Sequence, residues 1–236
     1  MLVLAVDTSS DSGSLAVLRD DQLLGVLCVS SRENYSSRLF RHLDTLLGEL
    51  ALQLLDVDLY AVVAGPGSFS GLRVGLAAVK GWAEVHNKPV AAVSALEAVA
   101  VQCHAPGKWV APVMDARRGQ IFGALFERGV DGLRRHQDER VEKLGEFFGW
   151  LETEFRANLQ GEPAFVTTSP DLLKSELGSS RFANCAVMQA SSALAPYVGQ
   201  LGREQARRGQ TVDALHLDAN YVRHSDAELN FKAPAS

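Results

Sequence analysis

Cysteine is scarce: Cys28, Cys103 and Cys185 stand far apart, with no CxxC pair. An odd count with that spacing argues against a disulfide framework and against a cysteine zinc site. No run of eighteen apolar residues occurs, and the opening apolar stretch from Met1 to Val6 is broken at Asp7. Neither a membrane-spanning helix nor a signal peptide is therefore expected, and the cytoplasm is the expected location. There is also no long block of lysine or arginine. The 236 residues carry 23 basic and 28 acidic side chains, a net charge of −5, which disfavours unaided tight binding of nucleic acid, where phosphate neutralisation dominates affinity. The imbalance lies in the front, with 7 basic and 11 acidic residues up to Ala105 against 16 and 17 beyond it.

Familiar catalytic signatures are missing as well. His42, His86, His104, His136, His216 and His224 form no HxxxH or HExxH, no GxSxG elbow occurs, and no GK[ST] follows the glycine-rich loop at 65–71. Histidine-bound metal, a nucleophile elbow and a P-loop thus lack support, and no catalytic residue or metal ligand is assigned.

What is present is a chain with 47% apolar and 22% charged residues, the balance of a water-soluble globule large enough for one or two cores. Three strands are expected at Leu2–Val6, Ser14–Arg19 and Gln22–Val29, the last two joined by a tight turn at Asp20 and Asp21. The polar loop Asp7–Gly13 follows the first strand directly. Asp7, Thr8 and Ser9 suit a phosphate or hydrated metal through carboxylate, hydroxyls and turn amides; they equally suit a turn held by its own side chains. Next, Leu39, Phe40, Leu43, Leu46, Leu47 and Leu50 recur at helical spacing, with Asn34, Ser36 or Ser37 as cap. An apolar strand Leu59–Ala64 then enters Gly65–Gly71 and a helix from about Leu72 to Val85. Such a loop allows backbone approach to an anion at a helix start, or simply a tight turn with Ser70 as the cap.

Leu72, Leu76 and Val79 share a stripe on that helix, with small residues and Trp82 beside it. Together with Leu39, Leu43 and Leu46 they are expected either to pack internally or to form an interface with a partner chain. Pro89–Val93 reads as a strand and Ser94 as the cap of a helix to about Gln102. Residues 1–105 form the expected first lobe and 106–236 the second. In the second, strands are expected at Trp109–Met114 and Ile121–Glu127, a turn at Gly129–Gly132, and helices near Gly145–Asn158 and Asp171–Leu177. A last helix spans about Ser192–Arg208 with Pro196 in its first turn, packing back toward the first lobe. The tail Ala227–Ser236 is expected to fray. Arg117 and Arg118 sit in a turn, available to an anion or solvated. Two units of similar style suggest a duplicated α/β fold with a cleft between lobes.

The segments LVLAVDTSSDSGSLAVL, GPGSFSGLRVGLAAVKGWA, PVAAVSALEAVA, MDARRGQIFGALF and DALHLDANYVR occur in that order, and together they resemble the TsaB (YeaZ) family of bacterial threonylcarbamoyladenosine biosynthesis proteins. The resemblance implies the actin-like, sugar-kinase-like ATPase (ASKHA) fold in two lobes. It implies a non-catalytic scaffold and activator of the paralogue TsaD, which transfers threonylcarbamoyl to the adenosine beside the anticodon of ANN-decoding tRNAs. Pairing with TsaD, or with a second copy, is implied through the first two helices, here Ser36–Leu50 and Ser70–Val85, and Leu76→Glu is expected to disrupt it. TsaE, a P-loop ATPase, is implied to join when it holds nucleotide. ATP and metal then belong to the partners, this chain has no cofactor of its own, and tRNA is met only within the complex, where Arg117 and Arg118 are accessory contacts. The alternative is an enzyme of this fold with its own ATPase, kinase-like or glycoprotease-like activity at Asp7, Thr8 and the cleft. Ser70 stands where the family usually has threonine, and Asn34 where many relatives have histidine.

Overall fold

The computed structural model describes residues 1–31 and 33–223. Arg32, His224 and the tail Ala227–Ser236 lie outside the described residues. The chain opens as an antiparallel meander, β1 (Leu2–Asp7), β2 (Ser12–Arg19) and β3 (Gln22–Ser30). Arg19 pairs with Gln22 across the two-residue turn Asp20–Asp21. After α1 (Tyr35–Glu49), β4 (Leu59–Gly65), α2 (Phe69–His86), β5 (Val90–Ser94) and α3 (Ala95–Ala100), the first sheet has the order β3-β2-β1-β4-β5. β1, β4 and β5 run parallel. All of β1 and β4 is buried, as their unbroken apolar runs require of strands covered on both faces.

The second sheet repeats this plan. β6 (Trp109–Arg117), β7 (Gln120–Gly123) and β10 (Arg140–Glu142) are antiparallel neighbours, while β11 (Pro163–Thr167) and β12 (Val187–Gln189) add in parallel, giving β10-β7-β6-β11-β12. A side hairpin, β8 (Phe126–Gly129) and β9 (Gly132–Arg135), pairs with β6. The expected strand Ile121–Glu127 is therefore two strands. Pro112 sits in β6 opposite the break and has no N–H to continue the ladder, which resumes where Phe126 pairs with Val110.

Alternation in β6 divides the cores. Trp109, Ala111 and Val113 face a cluster with Phe147, Leu151, Phe155 and Phe165 under α4 (Leu144–Ala157) and α5 (Asp171–Leu177), while Val110 and Met114 join the core of the first sheet. The last helix, α6 (Ala195–Arg207), has Pro196 in its first turn and lies on the first sheet. It approaches closely because it carries glycine where the sheet carries alanine: a Cβ on Gly202 would lie 2.6 Å from that of Ala61 and 3.1 Å from that of Ala91. Gly202→Val should lower unfolding free energy by about 1–3 kcal/mol in urea titration.

The expected start of α2 is corrected by one turn. The helix begins at Phe69, and its cap is Ser68, whose hydroxyl accepts from Gly71 N at 3.4 Å; Ser70 is already helical. Ser94 does cap α3, accepting from Glu97 N at 3.1 Å.

Candidate functional site

The carboxyl end of β1 meets the start of α2 with no gap. Thr8 Oγ1 donates to Gly71 O at 2.8 Å, and Ser68 N donates to Ser9 O at 2.7 Å. Gly67, Gly71 and Gly75 provide the clearance. A Cβ on Gly67 would come 2.6 Å from that of Ser9, and Cβ atoms on Gly71 and Gly75 would overlap Thr8 O and Thr8 Oγ1. The glycines thus admit the protein's own loop where an anion was one expected occupant. Asp7, Thr8 and Ser9 are 1%, 1% and 3% exposed. The side-chain-held turn describes them, and the phosphate-loop expectation is corrected: their hydroxyls are engaged internally and face no open space.

Asp7 is the unusual member. Its Oδ1 accepts from Ser9 N at 2.9 Å and Ser9 Oγ at 2.6 Å, whereas Oδ2 has no hydrogen-bond partner among the described residues. Burial pushes its pKa up from 3.8 to about 6, against the lowering effect of the Ser9 bonds. A cavity of about 10 Å³ lined by Asp7, Gly13, Ser14, Tyr35 and His42 adjoins it. That is the scale of one water and excludes a phosphate. The lid is the first turn of α1: Tyr35 OH donates to Ser10 O and lies over Gly13. Arg38, 1% exposed, stacks on the Tyr35 ring at 4.0 Å and donates to Val29 O and Asp11 O, each at 3.1 Å. Tyr35 and Arg38 escaped the sequence reading, since a tyrosine and an arginine three apart give no signal until the loop below them is known.

On α1 and α2 the expected interface residues require correction. Leu39, Leu43, Leu46, Leu72, Leu76, Val79 and Trp82 are all brought together, but as core, between 0% and 9% exposed. Each helix turns its strongest stripe toward its own sheet, because that is where burial is available. Leu76→Glu would therefore test folding. Beside its core stripe α2 carries a second one, Val74, Ala78, Gly81 and Val85 at spacings of four, three and four, in which Val74 and Ala78 are half-buried against the core while Gly81 and Val85 are exposed, Val85 at 78%. Phe40 of α1, 52% exposed, meets the edge of Trp82 with centroids 6.1 Å apart. The signal for this face was a helix apolar around most of its circumference, one side more than a single sheet can cover.

Arg118 and Gly119, with φ of 57° and 74°, are the left-handed pair of the two-residue β6–β7 turn, and Arg117, with φ of 61°, ends β6 opposite Gln120. Arg117 Nη2 reaches Asp11 Oδ2 of the β1–β2 loop at 2.6 Å, and Arg117 N donates to Asp115 Oδ1 at 2.6 Å. Arg117 thus clasps the two lobes at the surface, an exposed pair of modest strength; Arg118 is exposed beside it.

A sequence model of the TsaD family, tRNA N6-adenosine threonylcarbamoyltransferase, matches residues 18–184. The chain belongs to this family. Within it the likeness is to TsaB, or YeaZ. The tRNA threonylcarbamoyladenosine biosynthesis protein TsaB of Bacillus subtilis (strain 168) is 32% identical over 127 residues, 54% of this chain and 56% of that protein. TsaB of Escherichia coli (strain K12) is 27% identical over 238 residues, 96% of each chain. A Pseudomonas aeruginosa protein described as similar to the peptidase YeaZ superposes with a TM-score of 0.76 at 23% identity, covering 94% of this chain and 99% of that one. The ASKHA fold is shared more widely: component A of (R)-2-hydroxyglutaryl-CoA dehydratase from Acidaminococcus fermentans superposes at a TM-score of 0.52 with 8% identity, over 88% of this chain and 99% of that one. Among the described residues no helix is long and apolar enough to cross a membrane.

Proposed function

We propose that this chain serves tRNA threonylcarbamoyladenosine biosynthesis as a non-catalytic scaffold and activator of a TsaD partner, docking through the outer face of α1 and α2. The observation that carries this reading is the pairing of a β1–β2 loop closed onto α2 through the Thr8 hydroxyl with exposed apolar side chains, Phe40 and Val85, on the outer sides of the two helices. Phe40 and Val85 are the two exposed side chains to bury, and Gly81 with the half-buried Ala78 allows close helix approach. Arg73, Glu84 and Lys88 rim the face. A second copy of the chain would use the same face, so homodimer and heterodimer compete. TsaE joins with its own nucleotide, ATP and metal act on the partners, and tRNA is met in the assembled complex in the cytoplasm.

Val85→Glu should raise the dissociation constant for the cognate TsaD at least tenfold in calorimetry while leaving the thermal midpoint nearly unchanged, because Val85 is 78% exposed. Undiminished binding by that variant together with Phe40→Asp would remove this face from the proposal.

A further inference from the structure

Residues 212–223, after α6, run from the amino end of β5 to the carboxyl end of β4. Val212 forms an isolated antiparallel bridge with Val90, both hydrogen bonds at 2.8 Å. Leu217 is 1% exposed. Asn220 N donates to Ala64 O at 2.8 Å, and Gly65, with φ of 141°, leaves room for the Asn220 carbonyl, which any Cβ there would strike. Tyr221 stacks on Phe69 with centroids 5.0 Å apart, and its hydroxyl accepts from Arg73 Nε at 3.3 Å. Arg223 then crosses to the second lobe, donating to Ala116 O at 2.6 Å and to Gln120 Oε1. This is the crevice outside the carboxyl ends of parallel strands where open α/β sheets take ligands.

One side chain ties the segment to both lobes. Glu139, on the loop before β10, has a side chain 1% exposed. It accepts from Asn220 Nδ2 at 2.7 Å, pairs with Arg135 at 3.2 Å, and bonds Ser94 Oγ at the end of β5. Thus the second lobe, the end of the first sheet and the crossing segment converge on a single carboxylate.

We propose that residues 217–223 are a strap that fills the ligand crevice with the chain's own backbone and holds the lobes together, and that Glu139 is its latch. Any ligand approaching the ends of β4 and β5 from this side must displace the strap. Because Tyr221 rests on the first two turns of α2, release of the strap also frees that end of the helix.

Amide exchange followed by NMR on the full chain tests this. In the wild type the Asn220 amide should be protected. In Glu139→Ala, exchange at Asn220 and across 217–223 should quicken at least tenfold, while β11 and α4 stay within about twofold of wild type. Asn220→Ala cuts one arm from the exposed side and should quicken exchange of the neighbouring strap amides in the same pattern, which keeps the test available if Glu139→Ala does not fold. An unprotected Asn220 amide in the wild type, unchanged strap exchange in the variants, or quickening of β11 in step with the strap would overturn the proposal.

Discussion

Asp7→Asn should stabilise the folded chain by about 3 kcal/mol at pH 8, the equivalent of lifting a carboxyl pKa from 3.8 to about 6. The folded protein holds the Asp7 proton more tightly than the unfolded chain, so stability falls as pH rises from about 4 to about 6 and the full cost persists above that range. Asparagine keeps the acceptor that serves Ser9 N and Ser9 Oγ and removes the charge from a site 1% exposed. Urea titrations should show a difference between variant and wild type that is near zero below pH 4 and grows to its maximum above pH 7. A difference independent of pH would mean that the Asp7 carboxylate is solvated and that the lid of Tyr35 and Arg38 does not seal it.

Gly71→Val should cost ~3 kcal/mol or more. Even its first carbon would overlap the backbone carbonyl of Thr8, and a carbonyl fixed between β1 and β2 cannot rotate away as a side chain would. Either α2 shifts from the sheet, losing the contacts of Leu72, Leu76 and Val79, or the β1–β2 loop is displaced and Asp7 uncovered. Chemical denaturation measures the loss. Wild-type stability in this variant would contradict the close approach on which the reading of the loop rests.

Much of the architecture was legible because the first lobe speaks in strong local signals. The apolar runs and lengths of β1 to β3, the Asp20–Asp21 turn, the leucine stripe of α1 and Ser94 as a cap all depend on neighbours in sequence. The second lobe was less legible. β11 is five residues opened by Pro163, and β12 is three residues on an edge, too short for a period to register. Pro112 split a strand it is not part of, by failing to donate across the sheet.

At the candidate site Asp7, Thr8, Ser9 and the two helices were found, but Tyr35, Arg38 and the directions of the helix faces were not. Both α1 and α2 are apolar on more than one side, and sequence spacing does not say which side meets the sheet; Leu76 went inward and Val85 outward. The Asp7 loop looked open because it is polar, yet polarity is equally satisfied by Thr8 bonding to an adjacent helix and Ser9 bonding to Asp7. Glu139 and Asn220, 81 residues apart, gave no sequence sign of meeting, since only the return of the chain after α6 brings them together.

The most direct measurement is the mass in solution of this chain mixed with its cognate TsaD, by light scattering, with threonylcarbamoyl transfer to tRNA followed in the same mixtures with TsaE and ATP. The account predicts a one-to-one complex and transfer that depends on this chain, both lost when Phe40→Asp and Val85→Glu are combined. A complex and transfer unaffected by that double change, or ATP turnover by this chain alone, would contradict it.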